Sequence, residues 1–273
     1  MDQRQTQRHA WLNTFADRYG LKLESEASAS ADASFRQYFR LLGAEGKSFI
    51  VMDAPPAFED VRPFIKVTGL FEKAGLNVPT IFESDVENGF LLLSDLGRYT
   101  YLDVLNEDNA RDLMLQAIDA LVKWQLISEE GVLPEYNREV LSRELNLFPE
   151  WYIAKHRQKV LDDRQAAILK MCFERILQNN LAQPKVFVHR DFMPRNLMAV
   201  ADNGPGILDY QDALYGPISY DIASLLRDVP ASILTISARS SAARGTTGCS
   251  ISASLSQRAF PPSVRQARRS RSC

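Results

Sequence analysis

Three residues carry the chemistry most plainly. Asp191 stands in the segment Val186-Phe187-Val188-His189-Arg190-Asp191-Phe192-Met193-Pro194-Arg195-Asn196-Leu197. Asn196 follows it by five residues, and Asp209 lies thirteen further on in Ile207-Leu208-Asp209-Tyr210. A carboxylate, a neutral amide and a second carboxylate in this order suit phosphoryl transfer from a magnesium–nucleotide complex. One carboxylate orients the attacking hydroxyl and takes its proton. The amide oxygen and the other carboxylate hold Mg2+ against the phosphates. Pro194 favours an irregular loop, which lets Asp191 and Asn196 converge instead of diverging along a helix. In such a loop His189 reads as a packed structural residue and not as a proton-transfer group.

The elements that must position these groups follow from spacing. Trp11, Leu12, Phe15 and Tyr19 recur at helical intervals and Gly20 stops the run, which predicts a first helix. Apolar segments at 35–41 and 48–52 flank the turn Gly43-Ala44-Glu45-Gly46, a hairpin signal. A helix is expected over 61–74, then strands at 80–83 and 89–93. Helical patterns then run over 108–127, 138–156 and 162–181, with Pro149 expected to break or kink the second. Short strands are expected at 185–189, 197–200 and 207–210, and a helix at 219–227. Cys172 lies in an apolar helical pattern and reads as a small hydrophobe. Phe148, Trp151 and Tyr152, at helical spacing, read as core.

Composition bounds the class. The chain has 273 residues, 45% hydrophobic and 24% charged, with three cysteines and a net charge of -2. That is enough for one large domain or two lobes, and it excludes a disulfide scaffold. No apolar run approaches the ~20 residues of a spanning helix, and the polar start MDQRQTQRHAW has no signal-like apolar core. The average hides a break. Residues 230–273 hold seven arginines, eleven serines and no Lys, Asp or Glu, so 1–229 hold 25 basic and 34 acidic residues, net -9. A segment so poor in apolar groups is expected to be mostly disordered. It reads either as a basic arm for nucleic acid or as an aberrant, frameshifted terminus. The absence of Lys and of interleaved aromatics favours the second.

With those residues in hand, a resemblance becomes specific. His189–Asn196 matches the H-R-D-x-x-x-x-N loop of protein kinases. The chain more closely resembles the aminoglycoside phosphotransferase and choline kinase-like superfamily of small-molecule kinases. That superfamily carries H-x-D-x-x-x-x-N, then I/L-D-x-x-D, then G-P-x-x-x-D-I/L-A. Here these are Leu208-Asp209-Tyr210-Gln211-Asp212 and Gly216-Pro217-Ile218-Ser219-Tyr220-Asp221-Ile222-Ala223, with a hinge-like Leu91-Leu92-Leu93-Ser94-Asp95-Leu96-Gly97. The likeness spans roughly 10–229. Within the superfamily it is closest to bacterial N-acetylmuramate/N-acetylglucosamine anomeric kinases of cell-wall recycling, through SFRQYFRL at 34–41, IVMDAPP at 50–56, GLNVP at 75–79, LLLSDLG at 91–97, LFPEWY at 147–152 and LDYQDA at 208–213.

The resemblance implies a two-lobed, protein-kinase-like α+β fold. A nucleotide-binding N-lobe is expected at 1–96, a C-lobe with catalytic loop and metal site at 97–229, and the Arg/Ser tail at 230–273. It implies ATP and Mg2+ as cofactors, with Asp191 as base and Asn196 and Asp209 as metal ligands. Ser94 and Leu96 would meet adenine, Ser34, Arg36 and Arg40 the phosphates, and Glu144, Arg195 and Asp212 the substrate. His189 and Asp221 would support the loop. The partner expected is a small-molecule amino sugar, phosphorylated on its anomeric hydroxyl in the cytoplasm for peptidoglycan recycling, with neither nucleic acid nor membrane. The alternatives are another acceptor, such as an aminoglycoside or choline, and a catalytically defective kinase remnant.

Two departures stand out. The third strand ends in Asp53, where kinase-like lobes place a phosphate-binding Lys. Arg36 or Arg40 is expected to supply the missing charge, and Glu72 is the candidate helix carboxylate. In the superfamily, helices after the G-P-x-x-x-D segment complete the C-lobe, whereas here the Arg/Ser tail follows.

Overall fold

The computed structural model describes residues 3–29, 35–200 and 204–227. Ser34 and the 230–273 tail lie outside the described residues. The described residues within 1–104 and 195–212 cluster as one compact unit, and those within 105–194 and 213–273 as a second.

The first unit is built on an antiparallel five-stranded sheet. Its strands are β1 (Lys22–Ser28), β2 (Gln37–Leu42), β3 (Ser48–Asp53), β4 (Ile81–Asp85) and β5 (Phe90–Ser94), in the order β1-β2-β3-β5-β4. The hairpin is present, with Arg40 opposite Ile50 and Leu42 opposite Ser48. The first helix comes as two pieces, α1 (Gln3–Asn13) and α2 (Ala16–Tyr19), ended by Gly20 at φ +61. Trp11, Leu12, Phe15 and Tyr19 pack on Leu41, Phe49, Val51 and Leu92 of one sheet face. Helix α3 (Arg62–Lys73) buries Phe64, Val67, Thr68 and Phe71. β1 is absent from the sequence-based expectation. Its Lys22-Leu23-Glu24-Ser25-Glu26-Ala27-Ser28 run is too polar to read as a strand, and only its pairing with β2 defines it. The one-turn helix α4 (Tyr101–Val104) and the hairpin of β7 (Leu197–Met198) with β8 (Gly206–Ile207) complete the unit.

The second unit is mostly helical: α5 (Ala110–Leu126), α6 (Arg138–Leu147), α7 (Asp163–Leu181) and α8 (Tyr220–Arg227). Its two-stranded sheet pairs β6 (Lys185–Val188) with β9 (Leu214–Pro217), a strand not expected from sequence. The α-helical part of the expected 138–156 run ends at Leu147, just ahead of Pro149. α6 gives way at Phe148 to a π-helix, Phe148–His156, with Pro149 in its first turn, where a missing N–H costs no bond. No residue of this π-helix is buried, and Phe148 is 38% exposed, so the expected core role of Phe148, Trp151 and Tyr152 is not met. Cys172 is exposed, not a buried hydrophobe, because it lies on the outer side of α7. One core cluster of the unit is Tyr136, Leu141, Leu177 and Val188.

Candidate active site

In the second unit, β6 delivers the chain to His189, Arg190 and Asp191. Asp221, fully buried in the first turn of α8, holds this segment by its backbone. One carboxylate oxygen accepts the His189 N–H at 2.7 Å and the other the Arg190 N–H at 3.0 Å. Burial pushes the Asp221 carboxyl up to about 7. The two N–H donors oppose that shift and the neighbouring Asp191 charge adds to it. His189 is fully buried against the edge of Phe192, and its Nδ1 accepts the Asp191 N–H at 3.2 Å. This makes the histidine part of the loop's packing. Arg190 takes φ +78, in the left-handed region that costs a non-glycine residue roughly 1–3 kcal/mol.

Glu144 is drawn into the same network. One of its oxygens takes Arg190 Nη2 at 2.6 Å, and the other takes the Tyr136 hydroxyl. Burial pushes that hydroxyl well up, so it remains a donor.

In the first unit, the β7–β8 hairpin brings Asn196 and Asp209 together. Leu208 N–H donates to the Asn196 carbonyl at 2.9 Å, and Asn196 Nδ2 lies 3.5 Å from Asp209 Oδ2. Gln211 Nε2 donates to Asp209 Oδ1 at 3.0 Å. Asp209 itself takes φ +63, a conformation Asp tolerates better than most residues. Beside it, Tyr210 is fully buried between Phe64 and Phe71, with ring centroids at 4.9 and 5.1 Å. Its hydroxyl pairs with Thr68 Oγ1 at 2.8 Å, which ties the Asp209 turn to α3. Among the described residues no group of three or more His, Cys, Asp or Glu is arranged to hold a metal. An amide oxygen and a carboxylate are nevertheless the hard donors Mg2+ accepts, since it keeps water and phosphate for its remaining positions.

Arg36 and Arg40 part company. Arg36 Nη2 bonds Glu59 Oε2 at 2.7 Å, and its charge is further favoured by Tyr38 and Asp212. Arg40 forks onto Asp95, at 2.5 and 3.0 Å, and reaches the Gly97 carbonyl at 2.7 Å. Asp95 also accepts from Ser48 Oγ and Gly97 N–H. Burial alone would raise this carboxyl, but these donors hold it below the usual range. Arg40 thus fixes the 94–97 connector. Ser94 N–H donates to Thr80 O, and Ser94 Oγ accepts from Thr80 N–H, both at 2.9 Å. Tyr38 belongs to this group and escaped the sequence reading. Burial pushes its hydroxyl up to about 12, and the Asp209 charge acts in the same direction. The only hint was its place between Arg36 and Arg40 on an alternating strand.

Asp53, in the position of the missing lysine, points the other way. Strand alternation puts it with Phe49 and Val51 on the α1 face, where it is 1% exposed. Arg4 Nε and Arg8 Nη1 reach it at 2.7 and 2.6 Å, and Arg8 continues to Glu26 at 2.7 Å. Its charge is therefore spent on the N-terminal helix, and the opposite face carries Tyr38, Arg40, Ile50 and Met52. Glu72 is exposed. Asp212 is exposed, and Arg195 is half-buried in the turn Pro194–Asn196.

Known proteins resemble this chain over most of its length. The phosphotransferase enzyme family (APH) matches residues 27–247. An N-acetylmuramate/N-acetylglucosamine kinase of Pseudomonas aeruginosa is 54% identical over 200 residues, 73% of this chain and 59% of that protein. A protein of the same name from Pseudomonas putida is 50% identical, covering 75% and 60%. A third, from Neisseria meningitidis serogroup B, is 46% identical over 230 residues, covering 83% and 67%. The chain thus spans about three fifths of the length of the first two relatives. Among solved structures, the GDP complex of aminoglycoside 2'-phosphotransferase-IIIa superposes with a TM-score of 0.62 at 15% identity, over 90% of this chain and 84% of that one. ADP-bound aminoglycoside phosphotransferase APH(2'')-Ib gives 0.56 at 16%, over 81% and 74%. The fold is that of the kinase-like aminoglycoside phosphotransferases, and the chain belongs to the phosphotransferase enzyme family.

Proposed function

We propose that this protein is an ATP-dependent sugar kinase that phosphorylates the anomeric hydroxyl of N-acetylmuramate or N-acetylglucosamine. The single observation that carries the reading is the Asp191 loop, clamped by Asp221 and followed by the paired Asn196 and Asp209. The names of relatives at 46–54% identity supply the acceptor.

Asp191 accepts the proton of the attacking sugar hydroxyl and orients that oxygen for in-line attack on the γ-phosphorus. The bond from the γ-phosphorus to the bridging oxygen breaks, and ADP leaves. Asn196 and Asp209 hold Mg2+, which neutralises phosphate charge when bound. Arg36, whose charge is favoured by Asp212, takes the place of the lysine this lobe lacks. Arg40 and Asp95 fix the connector whose backbone at Ser94 and Leu96 meets the adenine. The protein acts in the cytoplasm, where both ATP and recycled amino sugars are found.

The test is coupled ADP release by the full chain with Mg-ATP, with N-acetylmuramate, with N-acetylglucosamine and with no sugar. Sugar-dependent ADP that disappears in Asp191→Asn supports the reading. Turnover only with an aminoglycoside or choline moves it to another acceptor. ADP binding without turnover on any acceptor makes the chain a nucleotide-binding remnant.

A further inference from the structure

We propose that Glu144 is a positioning residue for the catalytic loop, acting through Arg190, and not a ligand of the acceptor sugar. The inference rests on the phosphotransfer reading of Asp191 and deepens it.

Arg190 immediately precedes Asp191, so its dihedral angles set the direction in which the Asp191 backbone leaves. Those angles are unfavourable for arginine, with φ at +78. Such a conformation persists only where the surroundings over-determine it. Here three contacts do so, from α8, from α6 and from the segment just ahead of α6. Asp221 of α8 accepts the Arg190 N–H. Glu144 of α6 takes its guanidinium at 2.6 Å. The Tyr136 ring lies 5.8 Å from the guanidinium carbon. Asp221 holds only backbone. Glu144 restrains the side chain by a charge-assisted hydrogen bond, and it is itself fixed by the Tyr136 hydroxyl. Its side chain is 17% exposed, against 45% for Glu174, which pairs with Arg138 from the same helix. Both oxygens of Glu144 are occupied within the protein, which leaves it poorly placed to bind a sugar.

An Arg–carboxylate pair of this kind works by direction as well as charge. Neutralising Glu144 should release the Arg190 side chain, relax the left-handed turn and let Asp191 wander. The cost then falls on the chemical step, because small misplacements of a reacting group are expensive while ground-state binding is little changed.

The experiment uses the full chain as wild type, Glu144→Gln, Glu144→Asp, Tyr136→Phe, and Arg138→Gln as the control from the exposed α6–α7 pair. Hydrogen exchange is followed in the peptide covering 186–197, alongside steady-state kinetics. In Glu144→Gln the His189 and Arg190 amides should exchange about tenfold faster or more, with α7 unchanged. Its kcat should fall about tenfold to a hundredfold, with KM for nucleotide and sugar held within about twofold. Glu144→Asp should recover part of both effects, and Arg138→Gln should show neither. The proposal is overturned if exchange in Glu144→Gln matches wild type, or if KM for the sugar rises while kcat holds. Should wild type turn over no acceptor, the phosphotransfer reading fails, and the exchange contrast still decides whether Glu144 holds the loop.

Discussion

The carboxylates of this protein differ less in type than in what surrounds them. Asp191, Asp209 and Asp221 share a side chain, yet Asp221 is fully buried under two backbone donors, while Asp209 faces an amide and a glutamine. Asp191→Asn keeps the shape of the loop but cannot take a proton, so kcat should fall about 10²–10⁴-fold with ADP affinity unchanged, read by coupled turnover and calorimetry. Asp221 has a testable pH signature. Its folded pKa, about 7, lies above the ordinary 3.8. Between those values the folded state binds a proton that the unfolded state has lost. The stability it contributes is therefore complete below about pH 4 and is lost as pH rises through 7. The stability margin of wild type over Asp221→Asn should shrink across that window and level off above it, measured by urea unfolding between about pH 5 and 8. A margin that widens with pH would contradict the assignment. At this scale the sequence was most legible for Asp191, Asn196 and Asp209, whose spacing is itself the signal. It was least legible for Glu144 and Asp53. Their partners, Arg190 in one case and Arg4 and Arg8 in the other, lie 46, 49 and 45 residues away, beyond any local pattern.

At the scale of elements, periodicity recovered the long helices and the β2–β3 hairpin, because each has an apolar face of its own. It missed β1 and β9, which are strands only by virtue of their neighbours. β9 shows what such an element is for. Gly216, opposite Val186, lies against Tyr136, and a Cβ there would come within 2.5 Å of the Tyr136 Cβ. Gly216→Ala should cost about 1–3 kcal/mol by overpacking and displace the tyrosine that bonds Glu144. Its melting temperature should fall, and turnover should fall with it. An alanine variant as stable and active as wild type would show that Tyr136 can move freely. Helix α7 offers a cleaner case. Asp162 and Gln165 form a complete capping box at its start. Asp162→Ala should cost about 1 kcal/mol, and its side chain bonds only the start of α7 and no group assigned to the reaction, so thermal stability should drop while kcat stays level.

For the molecule as a whole, the question is how the second unit presents its outer surface. Helix α5 buries Ala117, Ala120, Leu121 and Trp124 on one side. On another it carries Leu115, Val122 and Leu126, which are 47, 47 and 78% exposed, and α8 adds Leu226 at 43%. Residues 115, 122 and 126 recur at helical spacing, so they form a stripe and not scattered single side chains. Neither composition nor hydropathy separates such a stripe from a buried one. The expected 108–127 helix had the right extent but could not say which apolar face would be covered. If this stripe meets only water, replacing Leu115 and Leu126 together by lysine should change unfolding free energy by no more than about 0.5 kcal/mol per site. It should also weaken binding of a hydrophobic dye and raise the concentration at which the protein aggregates, because a contiguous apolar surface is what promotes both. Loss of several degrees in melting temperature would instead mean that these leucines are covered in solution.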